Sequence, residues 1–227
     1  MFGFGYFELL LWTSPALLLA FWAQNRVKSS FAEAQKVPAQ LSGAAAARHL
    51  LDSAGLQNVD IERIAGQLSD HYDPRAKVLR LSEPVYGSKS TAAVGIAAHE
   101  AGHAIQDAKS YAPLVIRNAA VPVAGFGSNA STLLLIGGLI MQYEPLILLG
   151  IAAFACVVFF QLVNLPVEFD ASARAKRLLV EHHIVADQDM VYVNRVLNAA
   201  AWTYVAATLQ AVITLLYYIM RYAGSRD

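Results

Sequence analysis

Four stretches of the chain, at about 7–22, 118–143, 146–165 and 199–220, are apolar almost throughout. About 20 helical residues at 1.5 Å rise cross the ~30 Å hydrocarbon layer of a bilayer, so each stretch is read as a membrane-spanning helix. No Lys or Arg precedes the first stretch and no small-x-small site follows it, which makes it a span rather than a cleaved leader. The second and third are separated only by the turn Gln142-Tyr143-Glu144-Pro145 and predict a hairpin. The second stretch contains Gly125, Gly127, Ser128, Asn129 and Ser131, small and weakly polar residues that favour close helix packing within a bundle.

Ordinary globular patterning fills two intervening segments, about 42–113 and 166–198. Ser42 is placed to cap a helix over 44–54 that Gly55 ends, and Ser90 to cap an alanine-rich helix over 91–107 that stops or kinks at Pro113. Val59-Asp60-Ile61-Glu62-Arg63-Ile64 alternates like a half-buried strand. Val78-Leu79-Arg80-Leu81 is a second strand candidate, preceded by the turn-like Tyr72-Asp73-Pro74-Arg75. The later segment predicts helices over 170–181 and 187–198, and residues 24–41 a loose stretch beside the membrane. The expected fold is a mainly α membrane protein with four transmembrane helices and a small α+β region carrying a short antiparallel sheet. The whole, 1–227, is read as one integrated domain.

Composition narrows the chemistry. The chain is 56% hydrophobic and only 15% charged, against about 25% charged residues in a typical soluble domain. Seventeen basic and seventeen acidic residues cancel, and no basic stripe with interleaved aromatics marks a nucleic-acid partner. Cys156 is the single cysteine and sits inside an apolar run, so a metal site must be built from histidine and carboxylate.

Such a set is present in His99-Glu100-Ala101-Gly102-His103. Histidines at i and i+4 share a helix face and can converge on one ion. Zinc lowers the pKa of a bound water to about 7 and polarises a carbonyl, and Glu100 between the ligands is positioned to take that water's proton. Two histidines and a glutamate on an otherwise apolar helix are costly without such a role. A catalytic zinc needs a third protein ligand and an open position. If the second and third spans form a hairpin, Glu168 and Asp170 both return to the side of the His99 helix, with Glu168 the preferred ligand. Their other reading is a favourable acidic cap near a helix N-terminus. Donors for a reaction oxyanion could come from His71, Tyr72, Arg174, His182, His183, Tyr192 or Asn194, and sequence alone does not rank them.

Three separated motifs resemble one family: His99 to Gln106, Tyr72-Asp73-Pro74-Arg75 with Leu79-Arg80-Leu81-Ser82, and Leu165-Pro166-Val167-Glu168-Phe169-Asp170-Ala171-Ser172. Together they are similar to the bacterial neutral zinc metallopeptidases of the YugP type, over nearly the whole chain. More distantly they resemble HtpX-like peptidases and CAAX prenyl proteases. The resemblance implies a gluzincin-like peptidase with one Zn2+ held by His99, His103 and Glu168, and with Glu100 as the catalytic base. In the distant relatives an Asp four residues after the glutamate supports a metal histidine. Here Ser172 stands at that position, so Ser172, Asp170 or neither orients an imidazole. The same resemblance implies that the strand over 79–82 pairs with an extended substrate.

The function expected is hydrolysis of protein or peptide substrates by zinc-activated water at the membrane–cytoplasm interface, in a multi-pass protein surrounded by lipid. A zinc-containing scaffold without activity is the alternative, and the intact Glu100 argues against it. A transporter is disfavoured because the spans hold almost no ionisable residues. Arg26, Lys28, Lys36, Arg174, Lys176, Arg177 and Arg195 flank the globular segments, while the turn at 142–145 has no basic residue. By the positive-inside rule the catalytic face is cytoplasmic, in a bacterial inner membrane, although Arg221 and Arg226 vote the other way.

Overall fold

The architecture was obtained as a computed structural model that describes residues 2–223. In chain order the elements are α1 (Phe2–Ala34), α2 (Gly43–Ser53), β1 (Asp60–Ile64), β2 (His71–Asp73), β3 (Val78–Ser82), the single turn α3 (Glu83–Tyr86), α4 (Thr91–Ala108), α5 (Ala112–Met141), α6 (Glu144–Glu181) and α7 (Met190–Tyr218). Among the described residues four helices, the first and the last three of this series, are long and apolar enough to cross a membrane. The protein is therefore a mainly α membrane protein with a small sheet.

The helices run further than hydropathy alone suggests. α1 continues to Ala34 through much of the stretch expected to be loose, and α6 is assigned as one helix from its apolar part through Pro166 to Glu181. Likewise α7 joins the expected 187–198 helix to the last span. Hydropathy marks where side chains change character, whereas a helix ends where its backbone is capped or broken. Between 22 and 34, and between 190 and 218, no Pro or Gly interrupts the chain. Arg226 lies outside the described residues.

The chain divides into two compact units. One comprises residues up to Trp22, Val115–Pro166 and the chain from Thr203. Its hairpin of α5 and α6 packs at small residues: a Cβ at Gly127 would lie 2.8 Å from the Ala153 carbonyl oxygen, and one at Gly138 2.7 Å from Ile147. Gly125 meets nothing nearby and takes no part in that contact. Leu135, Ile147 and Ile151 form the buried cluster of this unit. Arg221 and Glu8 form an ion pair at 2.7 Å.

The other unit, Ala23–Leu114 with Val167–Trp202, has the larger core, built from Leu50, Leu51, Leu79, Leu81, Val85, Val94, Leu179 and Val193 with the alanines of α2 and α4. Ser42 caps α2 and Ser90 caps α4, each hydroxyl accepting an N–H three residues on. Arg48 donates to the carbonyls of Leu56 and Val59 and closes the loop that follows α2.

The sheet departs from expectation. Its order among the described strands is β1-β3-β2, with β1 parallel to β3 (Asp60 opposite Val78 through Ile64 opposite Ser82) and β2 antiparallel to β3. It is therefore mixed rather than antiparallel. β2 occupies the start of what reads as a turn: Asp73 ends the strand and its carboxylate then accepts the N–H groups of Arg75 and Ala76. β3 is central, so the expectation that residues 79–82 offer a free edge to substrate is overturned. Even the Ser82 N–H, beyond the β2 ladder, is taken by the Asp70 carboxylate at 2.7 Å.

Candidate metal centre

α4 is a helix because its many alanines favour a helical backbone and because Ser90 supplies the missing acceptor at its start. Its 3.6-residue period puts His99 and His103 one above the other, with ring centroids 4.8 Å apart and the planes nearly perpendicular. Gly102 faces α6. A Cβ there would sit 2.8 Å from the carbonyl oxygen of Ala171, so the absent side chain is what lets the two backbones meet. This contact brings Glu168 and Ser172, one turn apart on α6, against the two imidazoles.

Glu168 Oε2 lies 3.3 Å from His99 Nε2 and 3.6 Å from His103 Nε2. One ligand atom from each of the three residues falls within 4.8 Å of the others. Two imidazole nitrogens and one carboxylate oxygen, converging from two helices, fit a zinc donor set. Glu168 is 5% exposed, and Glu100 and His103 are 7% exposed each. Burial opposes the charge on Glu168, but bonds to His103 and His99 outweigh it and hold the carboxyl well below its usual range. Burial likewise favours neutral His103, yet the Glu168 bond and the Glu100 and Glu168 charges push its pKa up. Two imidazoles and two carboxylates are thus gathered in one largely buried cluster.

Behind these candidate donors, the two histidines are held differently. Ser172 Oγ is 3.1 Å from His99 Nδ1. His103 Nδ1 is 2.9 Å from Gln106 Oε1, while Gln106 Nε2 donates to the Val167 carbonyl and to Asp170 Oδ2, each at 2.8 Å. Asp170 in turn accepts from Arg174, whose guanidinium lies over the Tyr111 ring. Burial raises the pKa of Asp170, but Arg174 and Gln106 outweigh it and the acid is held low. Both Ser172 and Asp170 therefore support an imidazole, the second through Gln106. Sequence reasoning gave Gln106 no role. Its signal was its place three residues after His103, one turn along the same face, as an amide in an alanine-rich helix.

The candidate oxyanion donors are scattered. Tyr72 donates to Asp107, which also receives Lys77, and burial with that bond raises the Tyr72 pKa well above the ordinary tyrosine value. His71 is exposed and bonds its own loop at Ser69. His182 stacks edge-on against His49, and His183 is exposed at positive φ. Tyr192 lies beneath Arg195, Asn194 is half-buried on α7, and Arg174 is engaged by Asp170.

With this geometry in hand, comparison with known proteins is informative. Residues 9–223 match the family described as "Putative neutral zinc metallopeptidase". The "Putative membrane protease YugP" of Bacillus subtilis (strain 168) is 47% identical over 217 residues, which cover 95% of this chain and 96% of that protein. No solved structure matches the chain.

Proposed function

Because the chain belongs to this neutral zinc metallopeptidase family, we propose that it is a zinc-dependent endopeptidase of the membrane–cytoplasm interface, with one zinc ion held by His99, His103 and Glu168. The observation that carries the reading is the convergence of those three donors, two from α4 and one from α6, beside the buried carboxylate of Glu100. A bound zinc supplies a Lewis acid that polarises the scissile carbonyl and acidifies a water. Glu100, buried beside those donors, would accept a proton from an attacking water and return it to the leaving amine, so one carboxylate would serve as base and acid in turn. Ser172 and Gln106 keep the imidazole planes fixed while this happens.

The cytoplasmic orientation is supported by the basic residues that flank the globular segments and by their absence from the turn at 142–145. Arg221, ion-paired with Glu8, votes against it, and the larger number of basic residues on the globular side outweighs that vote. Metal content measured on the purified protein, together with cleavage of a generic unfolded protein, tests the proposal. Stoichiometric zinc with chelator-sensitive cleavage is expected. Zinc without any cleavage favours the scaffold reading, and no zinc removes both.

A further inference from the structure

Gln106 is a polar, wholly buried side chain of α4 that is not itself a candidate ligand or base, and its three hydrogen-bonding partners among the described residues are His103, Val167 and Asp170. A primary amide has one accepting oxygen and one donating NH2, and its two ends look alike in electron density or shape. Here chemistry decides between them. Two of its three partners, the Val167 carbonyl and the Asp170 carboxylate, can only accept. The NH2 must face both, so the oxygen must face His103 Nδ1. An oxygen at that position calls for a hydrogen on Nδ1, so Nε2, the nitrogen that points toward Glu168, is the one that can give up its proton to a cation.

We propose that Gln106, kept from flipping by Asp170 and Arg174, is a positioning residue that holds His103 in the Nδ1–H tautomer and so readies it as a zinc ligand before the ion arrives. The contrast with His99 sharpens this. Its partner is the Ser172 hydroxyl, which can donate or accept by rotating, so nothing in that contact selects a tautomer. His103 is thus the preset ligand and His99 the adaptable one. Arg174 matters at a distance: it holds Asp170 as an acceptor, and Asp170 supplies half of the demand that orients the amide. Turning the amide round would set its oxygen against the Asp170 carboxylate and the Val167 carbonyl, leaving both buried or half-buried acceptors unmatched.

The inference rests on the reading of His99, His103 and Glu168 as ligands, and the test separates the two. Full-length protein with labelled histidine is purified in detergent and stripped of metal. The imidazole carbon shifts of His103 are then recorded at a pH high enough for the ring to carry a single proton, and zinc affinity is measured by chelator competition. Wild type should show Nδ1–H. Gln106→Met, close in volume but without donor or acceptor, should lose that bias and bind zinc about 10–100-fold more weakly. Asp170→Asn, which lets the amide turn, should shift the tautomer balance in the same direction by less, and it carries the test if Gln106→Met does not fold. In Gln106→Glu the carboxylate faces Asp170 and zinc binding should weaken. Adding Asp170→Asn should recover much of it, because the Asn amide can donate to the new carboxylate, a rescue that a purely space-filling role does not produce. Wild type that binds zinc, with unchanged His103 shifts and affinity in the variants, overturns the inference alone. Wild type that takes up no zinc overturns the ligand reading, while the His103 shifts still decide the tautomer.

Discussion

Gly102→Ala adds one methyl group at the point where α4 and α6 touch. Its Cβ would fall 2.8 Å from the Ala171 carbonyl oxygen, 3.3 Å from the carbonyl carbon and 3.3 Å from Cα, all backbone atoms that cannot rotate away. A carbon and a carbonyl oxygen rest about 3.3–3.6 Å apart, so one helix has to retreat by roughly half an ångström or more. Two terms then compete. Alanine is better than glycine within a helix by about 0.8–1 kcal/mol, whereas overpacking a tight contact costs about 1–3 kcal/mol. The net effect on the metal-free protein is therefore about 0–2 kcal/mol of destabilisation. The effect on zinc should be larger, because ligand positions tolerate only about 0.2 Å of error and both Glu168 and its outer partner Ser172 ride on the displaced helix. Affinity should fall by at least the ~10–100-fold that loss of an outer hydrogen bond causes. Chelator competition and melting of the metal-free protein in detergent measure the two terms. Gly95→Ala is the control, since there the added methyl meets only the Val193 side chain at 3.1 Å and zinc should be retained. A metal-free Gly102→Ala protein that melts higher by the full helix-propensity gain, with wild-type zinc affinity, would refute the claim that this glycine brings the ligands together.

Glu100→Gln should keep near-stoichiometric zinc and lower turnover by about 10²–10⁴, the usual contribution of a positioned general base; full activity of the purified variant removes Glu100 from the chemistry. Glu168→Ala should lose zinc and activity together, while Ser172→Ala should retain zinc with an affinity about 10–100-fold lower. If Ser172→Ala strips the metal and Glu168→Ala does not, the ligand assignment is wrong. In a Cys156→Ser background, cysteine at Gln142 should react with an impermeant thiol reagent outside intact cells and cysteine at Lys89 only after lysis, both positions being exposed; the reverse pattern places the catalytic face outside. Ser90→Ala should destabilise the protein by about 1 kcal/mol, read as a lower melting temperature, because it removes the acceptor for the Ala93 N–H at the start of α4.

What was legible in the sequence follows from what each signal depends on. The spans, the paired histidines and both serine caps are local patterns of a few residues, and each stands where it was expected. Glu168 needed the hairpin and the family resemblance, because its own neighbourhood is equally readable as a helix cap. β2 was missed since three residues carry too little periodicity to register, and Tyr72 and Asp73 also read as the start of a turn. The parallel pairing of β1 with β3 depends on where the chain returns after Asp73, which no local pattern specifies. Gln106 was invisible for a related reason. Its partners lie sixty-one and sixty-four residues away on α6, so its role exists only once the two helices are packed.

The placement of β3 in the middle of the sheet bears on how long a stretch of polypeptide could be read there. An incoming strand finds only the outer sides of β1 and β2. β1 shows Asp60, Glu62 and Arg63 to solvent, and such charges discourage a passing chain from adding on. The β2 side is three residues long, about 10 Å of extended backbone at 3.3 Å per residue. Recognition along so short a rim can grip little more than a tripeptide through main-chain bonds. Under the proposed peptidase reading, discrimination among targets would then come less from main-chain pairing on this sheet than from how readily a target unravels.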